Sequence, residues 1–297
     1  MTLDNNAKTA RRIAGAPISW GVCEVPDWGF QLSAERVLRE MQQLGLQATE
    51  FGPAGFLPDG PPAKSEFLAR FDLKAVGGFL PVLLHDPGHE PLPEVDAFID
   101  DCLASGARIV VLAAVTGVDG YDDRPVLDEL QWKTMLQNLD RIADHAASRD
   151  VRAVVHPHIG TMVESAEDVS RILTGSHIGL CIDTGHLVAA GADPVAIAVA
   201  HTDRIEHVHL KDVDRDIAAS FLAKEITFSD AVAAGLFCVL GTGSVDIASM
   251  IKALDAAGYD GWYVLEQDVR LTADELDGEG PIANVRTSLE FLTGLTA

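Results

Sequence analysis

The sequence has little cysteine and no long apolar run. Its four cysteines lie far apart and no two form a CxxC pair, which argues against a disulfide framework and against a thiolate zinc site. Such spacing favours the reduced thiols of a cytoplasmic protein. No stretch reaches the roughly 18 apolar residues of a membrane-spanning helix, and the polar segment Met1–Arg12 lacks the apolar centre of a signal peptide. We therefore expect a soluble, cytoplasmic protein without membrane contacts.

Basic residues are also scarce. The chain has 22 lysines and arginines against 45 aspartates and glutamates, a formal net charge of −23. An acidic surface repels phosphate backbones and anionic lipid, so neither nucleic acid nor a membrane surface is expected as a partner. Three catalytic or cofactor signatures are missing as well: no GxGxxG follows the first predicted strand, no GxSxG is present, and no P-loop lysine follows Gly241–Gly243.

What the chain does have is a hydrophobic fraction of 47%, spread along its length in short apolar runs. Each run is followed by a loop and then by a stretch with helical spacing. Eight strands alternating with helices predict an α/β fold, a (β/α)8 TIM barrel with residues 1–297 in one domain. A doubly wound open sheet is the structural alternative. The predicted strands are Ala16–Trp20, Ala48–Phe51, Leu73–Phe79, Arg108–Ala113, Arg152–His156, Ile178–Asp183, Ile205–Leu210 and Trp262–Glu266.

One connection is unusually long. Residues 212–243, between the seventh and eighth predicted strands, contain Phe221, Phe228 and Phe237. Long connections in compact domains are often lids or binding loops. We predict a partly helical cover over the mouth of the barrel.

Polar side chains gather where the predicted strands end. The carboxyl ends of all strands in a TIM barrel meet on one face, where active sites are built. Imidazole and carboxylate groups together suit a borderline divalent ion such as Mn²⁺, Co²⁺ or Zn²⁺. A single histidine is more often a structural residue than a ligand, but several strand ends with metal-competent side chains favour a metal site. The strand-end residues are Glu50, His85, His156, His158, Asp183, His186, His207, His209, Lys211, Asp212, Glu266 and Asp268.

These strand ends resemble those of the xylose-isomerase-like barrel superfamily of sugar isomerases and epimerases. The resemblance implies that Asp183, His209 and Glu266 bind a divalent metal. It also implies that His186 and Arg215 contact substrate oxygens. The segments that carry it are Asp183–His186, His207–Asp212, Gly241–Asp246 and Glu266.

Within that superfamily the chain resembles the inosose dehydratases over nearly its whole length. Many sugar isomerases have a glutamate ligand where His156 stands, so the fourth ligand is expected to be His156, with His158 as the alternative. Some dehydratases carry an Asn-Asp pair where this chain reads Gly21–Glu24, which leaves the substrate open. The similar segments are Ala16–Gly21, Val76–Pro81, His156–Thr161 and Phe228–Gly235.

The resemblance implies metal-dependent dehydration of a cyclic polyhydroxy ketone, 2-keto-myo-inositol, through an enediolate. The alternatives are a metal-dependent ketose isomerase or epimerase and a non-catalytic sugar-binding barrel; a nuclease is disfavoured by the charge. Mn²⁺ or Co²⁺ is the expected metal, with Zn²⁺ or Mg²⁺ as alternatives. A homo-oligomer would be unsurprising for such a barrel, and no pattern in the sequence selects one.

Each candidate residue has an expected role. Glu266 is the candidate base, one of His156, His158 and His186 is the acid, and Lys211 holds a hydroxyl or the enolate oxygen. Trp20 either stacks on a sugar-like ring or packs in the core. The expected substrate contacts are Trp20, Glu50, His85, His158, His186 and Arg215.

Overall fold

A computed structural model describes residues 12–60, 62–274, 276 and 278–295. Nearly all of the polar segment Met1–Arg12 lies outside the described residues. Within these ranges, no helix is long and apolar enough to cross a membrane.

The centre of the molecule is a parallel β-sheet. The strands of the chain are β1 Ile13–Gly15, β2 Ala48–Thr49, β3 Lys74–Ala75, β4 Gly77–Val82, β5 Ile109–Ala114, β6 Arg152–Val155, β7 Gly179–Asp183, β8 Ile205–Leu210, β9 Asp212–Val213, β10 Phe237–Cys238 and β11 Tyr263–Leu265. Nine of them form the parallel sheet, in the order β3-β2-β1-β11-β8-β7-β6-β5-β4. The short strands β9 and β10 pair with each other in antiparallel fashion.

The sheet closes on itself at Val76. The strands β3 and β4 stand at opposite ends of the strand order, yet only Val76 separates them in sequence. Its N–H donates to the carbonyl of Thr49 over 3.0 Å, and its carbonyl accepts from the N–H of Arg108 over 3.2 Å. Thus β3 and β4 are two parts of one strand. The predicted single-domain barrel of eight strands is confirmed, and the open-sheet alternative is excluded.

Helices surround the barrel and cover its outer face. Local signals define several of their ends: Asp128 and Ser165 each begin a helix with a capping box, and Gly106, with φ of 82°, ends the helix Leu92–Ser105. The helices are Ala34–Gln43, Ala63–Ala69, Leu92–Ser105, Glu129–Ser148, Ala166–Gly175, Thr184–Ala189, Pro194–Ala200, Arg215–Leu222, Phe228–Ala233, Ile247–Ala257 and Pro281–Leu295.

Alternate residues of each strand face the barrel interior. On β5, Val110 and Leu112 pack in the large cluster shared with the helices, whereas Ile109 and Val111 pack inside the barrel. The lower interior is therefore a packed apolar core. Its members include Ala14, Ala48, Val76, Val264, Ile109, Val111, Val154 and Cys181.

The prediction of a first strand at Ala16–Trp20 is wrong. Strand β1 ends at Gly15, and Pro17–Trp20 forms a 3₁₀ helix that ends at Gly21, whose φ is 76°. Proline cannot donate a backbone hydrogen bond to a neighbouring strand, and its fixed φ favours the first turn of a helix. The other seven predicted strands overlap observed ones.

The long connection 212–243 contains two helices between β9 and β10. Its residues Phe228 and Phe237 pack with Trp28 and other apolar side chains in a cluster separate from the main core. Ser229 is held by Asp122: its Oγ donates to Oδ2 over 2.9 Å and its N–H donates to Oδ1 over 3.2 Å. The connection is thus tied to the loop that follows β5.

Candidate metal centre

The inward-facing side chains change from apolar to ionisable at the carboxyl ends of the strands. Because side chains alternate with a period of two, the residue two positions beyond a core residue faces the same way. His156, Asp183, Glu266 and Glu50 stand two positions after the core residues Val154, Cys181, Val264 and Ala48. The polar site therefore lies directly on top of the barrel core.

Asp183, His209 and Glu266 come together as the sequence predicts. Their ligand atoms lie within 4.8 Å of one another, and all three residues are buried. His209 Nδ1 is 3.1 Å from Glu266 Oε2 and 3.7 Å from Asp183 Oδ2. His156 Nε2 is 3.2 Å from the same oxygen of Asp183. Four strand ends thus bring two carboxylates and two imidazoles together.

The ammonium of Lys211 lies against these carboxylates. It donates to Asp183 Oδ2 over 2.7 Å and to Glu266 Oε2, and it lies 3.4 Å from Asp268 Oδ1. Burial opposes its charge, but Asp183, Asp268 and Glu266 hold the pKa of Lys211 well above its usual value. Burial likewise opposes the charge of Asp183, yet Lys211 is the main group holding that pKa well below its usual range. The site therefore attracts cations.

Glu50 faces two histidines of β8. Its Oε1 accepts hydrogen bonds from His207 Nε2 over 2.7 Å and from His209 Nε2 over 3.1 Å. Burial would raise the pKa of Glu50, but the charge of His209 and the hydrogen bonds from both histidines hold it below its usual range. Glu50 is therefore an anion in direct contact with a residue of the candidate metal centre.

A second group of ionisable side chains adjoins the first. His158 Nδ1 donates to the carbonyl of Ile159 over 2.6 Å, and its ring centroid is 3.8 Å from that of His186. His186 Nε2 lies 3.7 Å from Asp268 Oδ2. Burial lowers the pKa of His158 to about 3 and raises that of Asp268 to about 7. His158 is therefore a neutral imidazole near pH 7.

A cavity of about 370 Å³ opens above these residues. Its lining includes His156, His158, His209, Lys211 and Glu266. The aromatic side chains Trp28, Tyr121 and Phe228 also line it, together with the carboxylate of Asp268. This combination of an ionisable floor and aromatic walls suits a small ring with several oxygens.

Four predicted substrate contacts do not line this cavity, among them His186, which is buried. Trp20 is fully buried in the main core, where its Nε1 donates to Glu40 Oε2 over 2.7 Å, so the sugar-stacking role is wrong and its core alternative holds. The 3₁₀ turn that replaces the predicted strand places Trp20 there. His85 is buried outside the lining, and Arg215 is exposed at the start of the helix Arg215–Leu222.

Asp268, Trp28 and Tyr121 line the cavity, although the sequence predicts no role for them. Asp268 is one of the predicted strand-end residues and stands two positions beyond Glu266, so it faces the same way. Trp28 and Tyr121 lie in loops, where no periodicity shows the direction of a side chain. Tyr121 donates a hydrogen bond to Glu24, and its ring centroid is 4.4 Å from that of His158.

The residues present fit a divalent cation. The three buried carboxylates of Asp183, Glu266 and Asp268 surround the single ammonium of Lys211. Carboxylate and imidazole ligands suit Mn²⁺, Co²⁺ and Zn²⁺. Several buried imidazole nitrogens have no hydrogen-bond partner within the described part of the chain: His156 Nδ1, His186 Nδ1 and Nε2, His207 Nδ1 and His209 Nδ1.

Comparisons with known proteins identify the family of the chain. Residues 26–295 match the family described as xylose isomerase-like TIM barrel. An inosose dehydratase of Geobacillus thermodenitrificans is 32% identical over 85% of this chain and 88% of its own length. The rhizopine catabolism protein MocC of Rhizobium meliloti is 34% identical, over 89% of this chain and 83% of its own.

A solved structure shows the same fold. The IolI protein, whose crystal structure contains a bound zinc atom, matches with a TM-score of 0.69 and 14% identity, over 96% of this chain and 98% of that one. At this identity the likeness concerns the fold alone.

Proposed function

The chain belongs to the xylose isomerase-like TIM barrel family, and on that premise we propose that it catalyses the metal-dependent dehydration of 2-keto-myo-inositol, a cyclic polyhydroxy ketone. The observation that carries the proposal is the buried group Asp183, His209 and Glu266, with Lys211 beside it. His209, Glu266 and Lys211 line the cavity, and Asp183 contacts them from below the surface. Relatives named inosose dehydratase that match most of the chain supply the substrate class.

The reaction removes an α-proton and then the hydroxyl group β to the ketone. The α-proton is weakly acidic, so the enediolate that forms needs stabilisation. A bound divalent metal supplies it as a Lewis acid, and Mn²⁺ or Co²⁺ is the ion we propose. Asp183, His209 and Glu266 would hold the metal. His156 is proposed as the fourth ligand, because its Nε2 is 3.2 Å from Asp183 Oδ2 whereas His158 Nδ1 donates to a backbone carbonyl.

The side chains perform the remaining steps. Glu266, a carboxylate of the cavity floor, takes the α-proton. Lys211 stays charged because three carboxylates raise its pKa, and its ammonium binds the developing oxyanion. A base and an acid are both required, since one proton leaves carbon and another joins the departing hydroxyl. Glu266→Gln with full activity would contradict the role of Glu266.

The contacts of the three candidate histidines support one of them as the acid. His158 donates its Nδ1 proton to the carbonyl of Ile159, so that proton is not available to a substrate. His156 is the proposed fourth ligand, and its Nε2 faces Asp183. His186 does not itself line the cavity, but its Nε2 lies 3.7 Å from Asp268 Oδ2, and Asp268 is a lining residue. We assign the acid to His186.

The connection 212–243 is proposed as the cover of the site. Its Phe228 lines the cavity, and Ser229 binds Asp122 of the loop after β5. Enclosure by such a segment excludes water from the enediolate. The cytoplasmic location, a homo-oligomeric assembly and the absence of nucleic-acid partners stay predictions.

The test is mass-resolved turnover of 2-keto-myo-inositol by metal-stripped protein, with and without Mn²⁺ or Co²⁺. Metal-dependent loss of one water, with new ultraviolet absorbance, is the expected result. A product of unchanged mass would instead establish the isomerase or epimerase alternative. Sugar binding without turnover and with no bound metal would establish a binding barrel.

A further inference from the structure

We propose that Glu50 is a positioning residue, which orients the ring of His209 for metal binding, and that it is not a substrate contact. The inference rests on the proposed metal-dependent function. From the position of Glu50 at a strand end, the sequence predicts a substrate contact, and this inference assigns the residue a different role.

The contact that carries the inference crosses the barrel interior. Glu50 follows β2, and in the sheet β2 is separated from β8 by β1 and β11. Its Oε1 nevertheless accepts from His207 Nε2 over 2.7 Å and from His209 Nε2 over 3.1 Å. The two histidines stand two positions apart on β8 and so point the same way. One carboxylate oxygen therefore binds a pair of imidazoles.

This arrangement decides which nitrogen of His209 faces the metal centre. With Nε2 donating to Glu50, the ring directs Nδ1 toward Glu266 Oε2 at 3.1 Å and Asp183 Oδ2 at 3.7 Å. A carboxylate that accepts from one imidazole nitrogen fixes the tautomer and makes the other nitrogen a stronger ligand. Glu50 thus favours Nδ1 of His209 as the ligand atom.

Burial makes the contact hard to replace. Glu50 is 3% exposed, His207 0% and His209 1%. Glu50 belongs to the lining of the cavity, but its Oε1 is occupied by the hydrogen bonds from the two imidazoles. His207 Nδ1 has no hydrogen-bond partner among the described residues, so the side chain of His207 is held through its Nε2, by Glu50. We infer that His207 in turn holds the carboxylate of Glu50 in place.

The experiment measures Co²⁺ affinity by competition with a chelator, and the visible absorption of the bound ion, without substrate. Glu50→Gln keeps the shape and an acceptor oxygen but removes the charge, so Co²⁺ should bind about 10-fold more weakly. Glu50→Met removes the acceptor, so affinity should fall about 100-fold and the Co²⁺ absorption should change. At saturating Co²⁺ the KM for 2-keto-myo-inositol should stay at the wild-type value in Glu50→Gln.

Glu40→Gln is the matched control. Glu40 is a buried carboxylate that accepts from Trp20 Nε1 and Arg36 Nε, away from the candidate metal centre. The same loss of charge there should lower the melting temperature and leave Co²⁺ affinity and absorption unchanged. If Glu50→Met fails to fold, Glu50→Gln decides the question alone.

Two results would overturn the inference while leaving the proposed function in place. Unchanged Co²⁺ affinity and absorption in folded Glu50→Gln would show that Glu50 does not act through His209. A raised KM for 2-keto-myo-inositol in Glu50→Gln at saturating Co²⁺ would show that Glu50 contacts the substrate. A wild-type protein that binds no Co²⁺, Mn²⁺ or Zn²⁺ would instead overturn the proposed function, and this inference with it.

Discussion

The lower and upper ends of the barrel interior are built by the same strands and differ completely in chemistry. Val154, Cys181 and Val264 pack in the lower interior, and two residues further along the chain His156, Asp183 and Glu266 form the candidate metal centre. A step of two residues advances about 6.6 Å along a strand. The ionisable groups thus rest on a dry apolar core, where charges interact more strongly than in water. One repeating pattern therefore provides stability at one end and chemistry at the other.

Asp183→Asn should have the largest effect on activity. Asparagine can still cap the helix Thr184–Ala189 as Asp183 Oδ1 does, but it lacks the charge that faces His156 and Lys211. Loss of a metal ligand removes several kcal/mol of transition-state stabilisation, so kcat/KM should fall about 10³-fold or more. Asp193→Asn, at an exposed helix cap, should leave kcat/KM unchanged. Equal kcat/KM values in the Asp183→Asn and Asp193→Asn variants would show that Asp183 is not a metal ligand.

Lys211→Met should reduce stability at the upper end. The variant leaves Asp183 and Glu266 buried without their ammonium, which costs roughly 3–5 kcal/mol of unfolding free energy. Saturating Mn²⁺ should recover part of this loss, because the ion binds the same carboxylates in the folded state. Urea unfolding with and without Mn²⁺ measures both effects. In the control Lys64→Met, which loses a partly exposed pair with Asp101, the loss should be below about 1 kcal/mol.

Val154→Ala should affect the lower end alone. Removing two methyl groups from a fully buried side chain should cost about 2 kcal/mol of unfolding free energy. Co²⁺ affinity measured on the folded variant should match the wild type, because the packing change does not alter the ligand set. A large loss of Co²⁺ affinity would show that the apolar core and the metal centre are coupled, contrary to their proposed division of labour.

Ser229→Ala should have the smallest effect. It removes one exposed hydrogen bond to Asp122, worth about 1 kcal/mol, and loosens the connection 212–243 over the cavity. If that connection covers the site, KM should rise by up to about fivefold with little change in melting temperature. Ser148→Ala, which loses an exposed bond to the carbonyl of His145 within one helix, is the control. An unchanged KM would argue against a cover.

Most of the barrel could be predicted because its signals are local. Seven of the eight predicted strands overlap observed ones, and the metal-competent residues Asp183, His209 and Glu266 follow from alternation and from resemblance. The prediction of the first strand was wrong because Pro17 and Gly21 favour a 3₁₀ turn. The prediction gave more weight to the apolar character of Ala16–Trp20 than to this local signal. The wrong prediction that Trp20 contacts substrate followed from that one error.

The sequence by itself determined the strand alternation, the apolar lower interior and the ionisable strand ends, since each depends on residues close together in the chain. Only the tertiary structure decided that Glu50 binds His207 and His209, that His186 adjoins Asp268, and that Trp28 and Tyr121 line the cavity. These contacts join residues that are distant in sequence or that lie in loops. Their distances depend on how the strand ends and loops meet in the closed barrel, and no local pattern encodes those positions.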